Sequence, residues 1–170
     1  VGFKNKDVMD NLRGQKGTKV KVSILRRDVD DLIDFDIIRD KIPIYSVDAV
    51  VMLDDNTGYI KVNRFAAKTL EEFNEGLISL KEQGLENLIV DLRGNSGGYL
   101  KTAEKLADMF LDQNKLIVYT KGRSQPRTEM VATSKGTFEK GKLVVLIDEG
   151  SASASEILSG AVQDWDRGLV

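Results

Sequence analysis

The chain has 170 residues, a net charge of −2, and neither histidine nor cysteine. Those absences exclude a Ser-His-Asp triad, an imidazole base and the usual zinc and iron–sulfur sites, so acid–base or nucleophilic chemistry must come from Ser, Thr, Lys, Tyr, Asp or Glu. Hydrophobic residues at 41% and charged residues at 31% suit a folded domain with a real core, the small net charge offers nothing to nucleic acid, and no apolar run approaches the roughly 20 residues of a membrane span.

The length allows one domain, or one domain plus a fragment. Val1-Gly2-Phe3 reads as the end of an element, and no signal-peptide pattern opens the chain. Residues 7–12 have a short amphipathic helix pattern, with Val8, Met9 and Leu12 on one side. A turn at 13–17 leads into a strand over Thr18–Arg26, where Val20, Val22 and Ile24 alternate with Lys19, Lys21 and Ser23. One helix and one strand are too small to bury their own faces, so residues 1–27 are expected to be the tail of a larger module. Residues 28–57 are strand-like and acidic. Asp28, Asp30, Asp31, Asp34, Asp36 and Asp40 lack the glycine and terminal glutamate of an EF-hand loop, and are expected to be a solvated face with no metal.

A hairpin is predicted from Ser46–Leu53 and Tyr59–Val62. The period then becomes helical. Leu70, Phe73, Leu77 and Leu80 mark a helix over 69–83, with a capping box of Thr69 and Glu72 and a stop at Gly84. Leu88–Val90 suits a buried parallel strand. A second helix is expected over 101–112, a strand over 116–119, and a polar loop with a weak hairpin over 121–140. Leu143–Ile147 is the most apolar strand, and a further helix runs toward Gln163. This alternation predicts an α/β fold: a mixed sheet with right-handed crossover helices.

Two loops lie between a strand and a helix, at the sheet edge where such folds bind ligands. Gly94-Asn95-Ser96-Gly97-Gly98 can present backbone N–H groups to an anion or a developing oxyanion. It can equally be a tight turn that needs positive φ. It is neither a Walker A loop nor GxGxxG, so a phosphate-binding domain has little to rest on. Ser151-Ala152-Ser153-Ala154-Ser155 resembles a nucleophile elbow without the GxSxG spelling. N-capping of the helix is the competing reading. A serine nucleophile here would need a lysine of depressed pKa or a carboxylate as its base.

The segments Val90–Gly98 and Val145–Ile157, in this order and separation, resemble the carboxyl-terminal processing proteases, serine peptidases of the tail-specific or S41 type. Asp7–Arg27 resembles the closing helix and strand of the PDZ domain that such proteases carry. The resemblance implies residues 1–27 as the C-terminal part of a PDZ domain and 28–170 as the protease core. It implies Ser153 as nucleophile, with the N–H of Ala154 and one from Gly97 or Gly98 forming the oxyanion hole, Gly98 preferred. Asp164 matches an aspartate with a supporting role in some members, and is otherwise an exposed helix residue. Ser151 and Ser155 keep the readings of turn and cap. Arg93 is expected to hold its loop by pairing with Asp91 or another carboxylate.

The family's base is a lysine in a Gly-Lys-Gly segment roughly two dozen residues after the nucleophile. No lysine follows Ser153 in this chain. The expectation is a fragment cut at both ends: a serine endopeptidase core cleaving proteins near their C-termini, itself inactive for want of the lysine. Lys101 and Lys105 would be the first suspects if it proved active. The alternative is a non-catalytic PDZ-like peptide-binding module with a degenerate protease domain. No cofactor is implied. Partners would be proteins or peptides with accessible C-termini, not nucleic acid, with no membrane anchor visible. The resemblance implies a bacterial periplasmic or envelope location.

Overall fold

A computed structural model of the chain describes residues 4–41 and 44–170. The reading of Val1–Phe3 as an element's end lies outside those residues. Two units emerge, one ending at Ile44 and the other Tyr45–Val170.

In the first unit, α1 (Asn5–Leu12) precedes β1 (Lys19–Ile24) and β2 (Ile33–Ile38). β1 and β2 pair antiparallel along their full length, from Lys19↔Ile38 to Ile24↔Ile33. This pairing carries the unit past residue 27. Arg39 ties the unit together, donating to the carbonyls of Asn11, Leu12 and Lys19 and to the Thr18 hydroxyl. None of its described residues is buried, and Val8, Met9 and Leu12 remain 41–43% exposed. That is what a unit too small to cover its own apolar face looks like. The aspartates face solvent, Asp34 pairing with Lys21 and Asp40 with Lys16. No described group of carboxylates is placed to share a metal.

The second unit is mixed α/β. β3 (Val47–Met52) and β4 (Thr57–Val62) form the expected antiparallel hairpin, followed by α2 (Thr69–Glu82), β5 (Asn87–Asp91) and α3 (Leu100–Asp108). β6 (Leu116–Thr120) and β7 (Thr128–Val131) make a separate antiparallel pair; β8 (Lys142–Leu146) and α4 (Ala154–Asp164) complete the unit. The main sheet has the order β3-β4-β5-β8, with β4, β5 and β8 parallel. After α4 the chain returns beside β8, where Val145 N–H donates to Leu169 O and Leu169 N–H to Leu143 O.

Strict alternation in β4 sends Ile60 and Val62 into the core, where they meet Phe73, Leu77 and Leu80 of α2. Leu88 and Val90 of β5, Leu106 of α3 and Leu158 and Val162 of α4 complete it. Phe73 and Phe110 pack edge to face at 5.9 Å.

Three local expectations are corrected. The capping box of α2 does not form: Thr69 is already helical, after Lys68 at the N-cap. The Glu72 carboxylate accepts instead from the N–H and hydroxyl of Ser46 and the N–H of Val47. Burial opposes its charge, but these donors hold its pKa below the ordinary value. α3 ends at Asp108, not 112, because Phe110 and Leu111 leave the helical path to become fully buried. The segment over 121–140 contains a real strand, β7, where a polar loop with a weak hairpin was expected. Gly84 does end α2, at φ +98°.

Candidate active site

β5 and β8 run side by side and parallel, so the loops that leave them emerge at the same sheet edge. The β5 loop begins at Asp91, which is 1% exposed. Its carboxylate accepts from Arg93 Nε and Nη2 and the Arg93 N–H, from the Tyr59 hydroxyl at 2.7 Å, and from Lys61 Nζ at 3.1 Å. Burial opposes ionisation, but Arg93, Tyr59 and Lys61 outweigh it and keep the carboxyl ionised far below the usual carboxylate range. The same ion pair raises the Arg93 pKa. Burial, and then Asp91, push the Tyr59 phenol up. Arg93 is thus engaged with Asp91, as its sequence position suggests, and Lys61 also donates to the Arg93 carbonyl.

Asp148, after β8, joins the two loops. It accepts from Gly94 N–H at 2.8 Å and Gly150 N–H at 3.0 Å. The Gly94 bond above all keeps its pKa low, against the cost of desolvation and with help from Gly150 and Ser151. Ser151 is a turn residue as expected, and its hydroxyl also donates to Leu92 O at 2.8 Å. Ser155 is not a cap. It is fully buried inside α4 and donates its hydroxyl to Asn95 O, 2.8 Å away in the other loop.

Ser153 occupies the N-cap of α4, so the capping and nucleophile readings fall on one residue. It is exposed, with φ +56° and ψ −110°. A side-chain-bearing residue in that region is strained and must be held by its surroundings, as at a nucleophile elbow. Its own N–H is taken by the Glu156 carboxylate. The next residue, Ala154, is 1% exposed, and its N–H has no hydrogen-bond partner among the described residues.

The glycine loop reaches this serine. A Cβ on Gly97 would stand 2.8 Å from both Ser153 Cβ and Ala152 O, and 3.0 Å from Ala154 N. Gly97 spends its N–H on Asn95 Oδ1 at 2.9 Å and its carbonyl on Phe65 N–H. Gly98 lies beside Phe65 at φ +142°, and its N–H, like that of Ala154, has no partner among the described residues.

Ser153 opens onto a groove of about 540 Å³ between β6 and α4. Ile157, Gly160 and Ala161 line it, Glu156 and Asp164 are its carboxylates, and no lysine or arginine contributes. Asp164 is exposed at the far end of α4, about 16 Å along the axis from Ser153 at 1.5 Å per residue, too far to touch it. Lys101 and Lys105 are exposed on α3 and do not line the groove; Lys101 pairs with Glu104 at 2.9 Å.

Sequence reasoning missed Asn95, Asp148 and the Tyr59–Lys61 pair. Asn95 could have been noticed as an Asx residue among glycines in a strand-to-helix turn. Lys61 and Tyr59 lie far from the loop in sequence, and only strand pairing brings them to Asp91.

Residues 56–170 match the family model described as Peptidase family S41. The chain is 36% identical over 153 residues to the carboxy-terminal processing protease CtpA of Bacillus subtilis, covering 90% of this chain and 32% of that protein. It is 37% identical over 161 residues to a carboxyl-terminal-processing protease of Synechocystis, covering 92% and 37%. The solved structure of a photosystem II D1 C-terminal processing protease is similar with a TM-score of 0.63 and 26% identity, over 98% of this chain and 46% of that one. The chain therefore spans about a third of the length of these curated relatives.

Proposed function

This chain belongs to peptidase family S41, and from that premise we propose that it carries the nucleophile and oxyanion donors of a serine endopeptidase that cleaves proteins near their C-termini. Ser153 Oγ attacks the scissile carbonyl carbon. The Oγ–C bond forms, the carbonyl π pair moves onto oxygen, and the N–H groups of Ala154 and Gly98 stabilise that charge. The serine proton passes to a lysine amine, which returns it to the leaving nitrogen as the tetrahedral intermediate collapses to an acyl-enzyme. Water then attacks the ester and frees Ser153.

One observation carries this reading: two backbone donors with no partner among the described residues, Ala154 N–H and Gly98 N–H, belong to the two loops that meet at an exposed serine in a strained conformation. Gly97 is the weaker candidate, since Asn95 already takes its N–H. Asp164 would act from a distance on whatever occupies the groove. In this reading residues 1–27 belong to a PDZ module that takes an extended substrate tail by strand addition, and the protease works in a bacterial periplasm or envelope.

The lysine has no counterpart after Ser153 in these 170 residues. The chain alone is therefore expected to be inert toward an unstructured protein substrate, to within the uncatalysed rate. Sustained cleavage that Ser153→Ala abolishes would contradict the lysine requirement and turn attention to Lys101 and Lys105. Sustained cleavage that survives Ser153→Ala would contradict the nucleophile assignment.

A further inference from the structure

We propose that Asn95 is the positioning residue that sets the two oxyanion donors relative to each other; the inference rests on the serine peptidase reading above. Asn95 is fully buried. Its Oδ1 accepts the Gly97 N–H at 2.9 Å, and its Nδ2 donates to Val62 O at 2.9 Å, at the end of β4. Its carbonyl accepts from Ala152 N–H at 3.1 Å and from the Ser155 hydroxyl at 2.8 Å. Its own N–H donates to Leu92 O at 3.0 Å. One residue thus bonds to the sheet, to the glycine loop and to both sides of the Ser153–Ala154 step.

The glycine loop needs such a restraint. Gly97 and Gly98 have no side chains to fix them, and both sit at positive φ. Capturing the Gly97 N–H turns that peptide away from the site and fixes the start of the Gly97–Gly98 peptide, whose N–H is the free one. The Asn95 carbonyl fixes the other donor by holding Ala152 and Ser155 on either side of Ala154. Neither the asparagine amide nor its carbonyl is available to substrate, so Asn95 acts through these neighbours. Displacing either donor by a fraction of an ångström would weaken binding of a tetrahedral oxyanion without changing how an ordinary peptide docks.

The test uses an alanine-rich peptide boronic acid with the 170-residue chain. Ser153 Oγ donates a lone pair to trigonal boron, an O–B bond forms, boron becomes tetrahedral and anionic, and the hydroxyl proton leaves to buffer. No base lysine is needed for the adduct to report on the donors. Asn95→Ala is expected to weaken boronate binding about tenfold, while the same peptide with hydrogen in place of the boronic acid group, which offers the donors no oxygen, binds within twofold of wild type. Ser155→Ala, which cuts only one strand of the link, is expected to weaken the boronate about threefold, again with the plain peptide unchanged. A cooperatively melting Asn95→Ala chain that binds boronate as tightly as wild type overturns the proposal. So does an equal loss for both peptides. If Asn95→Ala does not fold, Ser155→Ala decides, and an unchanged boronate affinity there overturns it. A wild-type chain that forms no tetrahedral adduct instead overturns the nucleophile reading itself.

Discussion

Gly98→Ala is expected to lower affinity for the peptide boronic acid at least a hundredfold and to destabilise the second unit by about 4 kcal/mol. A Cβ at this position would lie 2.1 Å from Phe65 O and 2.8 Å from Phe65 C. Phe65 cannot retreat cheaply. It is 2% exposed, its N–H is bonded to Gly97 O, and its carbonyl accepts from Tyr99 N–H. A side chain would also have to adopt φ +142°. The loop must therefore move, and the free Gly98 N–H moves with it. Gly94→Ala is the control: φ is +73° there, but a Cβ would meet nothing within 4 Å. Its cost is expected to be about 1 kcal/mol, with a much smaller effect on the adduct. Calorimetry and boronate titration of the two variants separate close approach from conformational strain.

Asp91→Asn is expected to cost about 3 kcal/mol and to change how stability responds to acid. The substitution keeps the shape but leaves Lys61, Tyr59 and Arg93 facing a neutral amide in a site 1% exposed. The cost falls short of a fully buried pair because Arg93 is 53% exposed and stays partly hydrated. Asp91 has a folded pKa far below its unfolded value of about 3.9. Its contribution is therefore fully present above about pH 5, begins to fade as pH drops past the unfolded value, and is lost as pH falls through the folded one. Melting curves between pH 7 and pH 2 should show wild type losing stability steeply below about pH 4. Asp91→Asn should start lower and lose less over that range. An unchanged acid limb would mean that Asp91 does not carry this linkage.

Much of the second unit was readable because its strands are short apolar runs with clear stops. Leu88–Val90 and Leu143–Leu146 are nearly continuous hydrophobic stretches, and they became the parallel strands β5 and β8. Gly84 ended α2 because only a positive φ fits there. What misled was local chemistry that tertiary partners claimed. Thr69 and Glu72 have the spelling of a capping box, yet Glu72 serves three donors from residues 46 and 47. Ser155 has the spelling of a cap, yet its hydroxyl reaches Asn95 sixty residues back. β7 was legible only as a weak hairpin because it is four residues long and mostly exposed, too short for an alternation of apolar and polar positions to stand out.

The candidate site divides in the same way. Residue types and spacing alone left Ser153 undecided between nucleophile and cap, and only its pairing with the glycine loop as a family pattern favoured one reading. Structure adds what spacing cannot carry. Gly97 has spent its N–H on Asn95, whereas that of Gly98 has no partner among the described residues. Ser153 is strained, and Asn95 and Asp148 lock the two loops together.

The most direct test of the central claim, that Ser153 Oγ is a nucleophile facing prepared oxyanion donors, is boron NMR of the peptide boronic acid bound to wild type and to Ser153→Ala. The account predicts a tetrahedral boron signal with wild type and a trigonal one with Ser153→Ala. A trigonal signal with wild type, or a tetrahedral signal that survives Ser153→Ala, would contradict it.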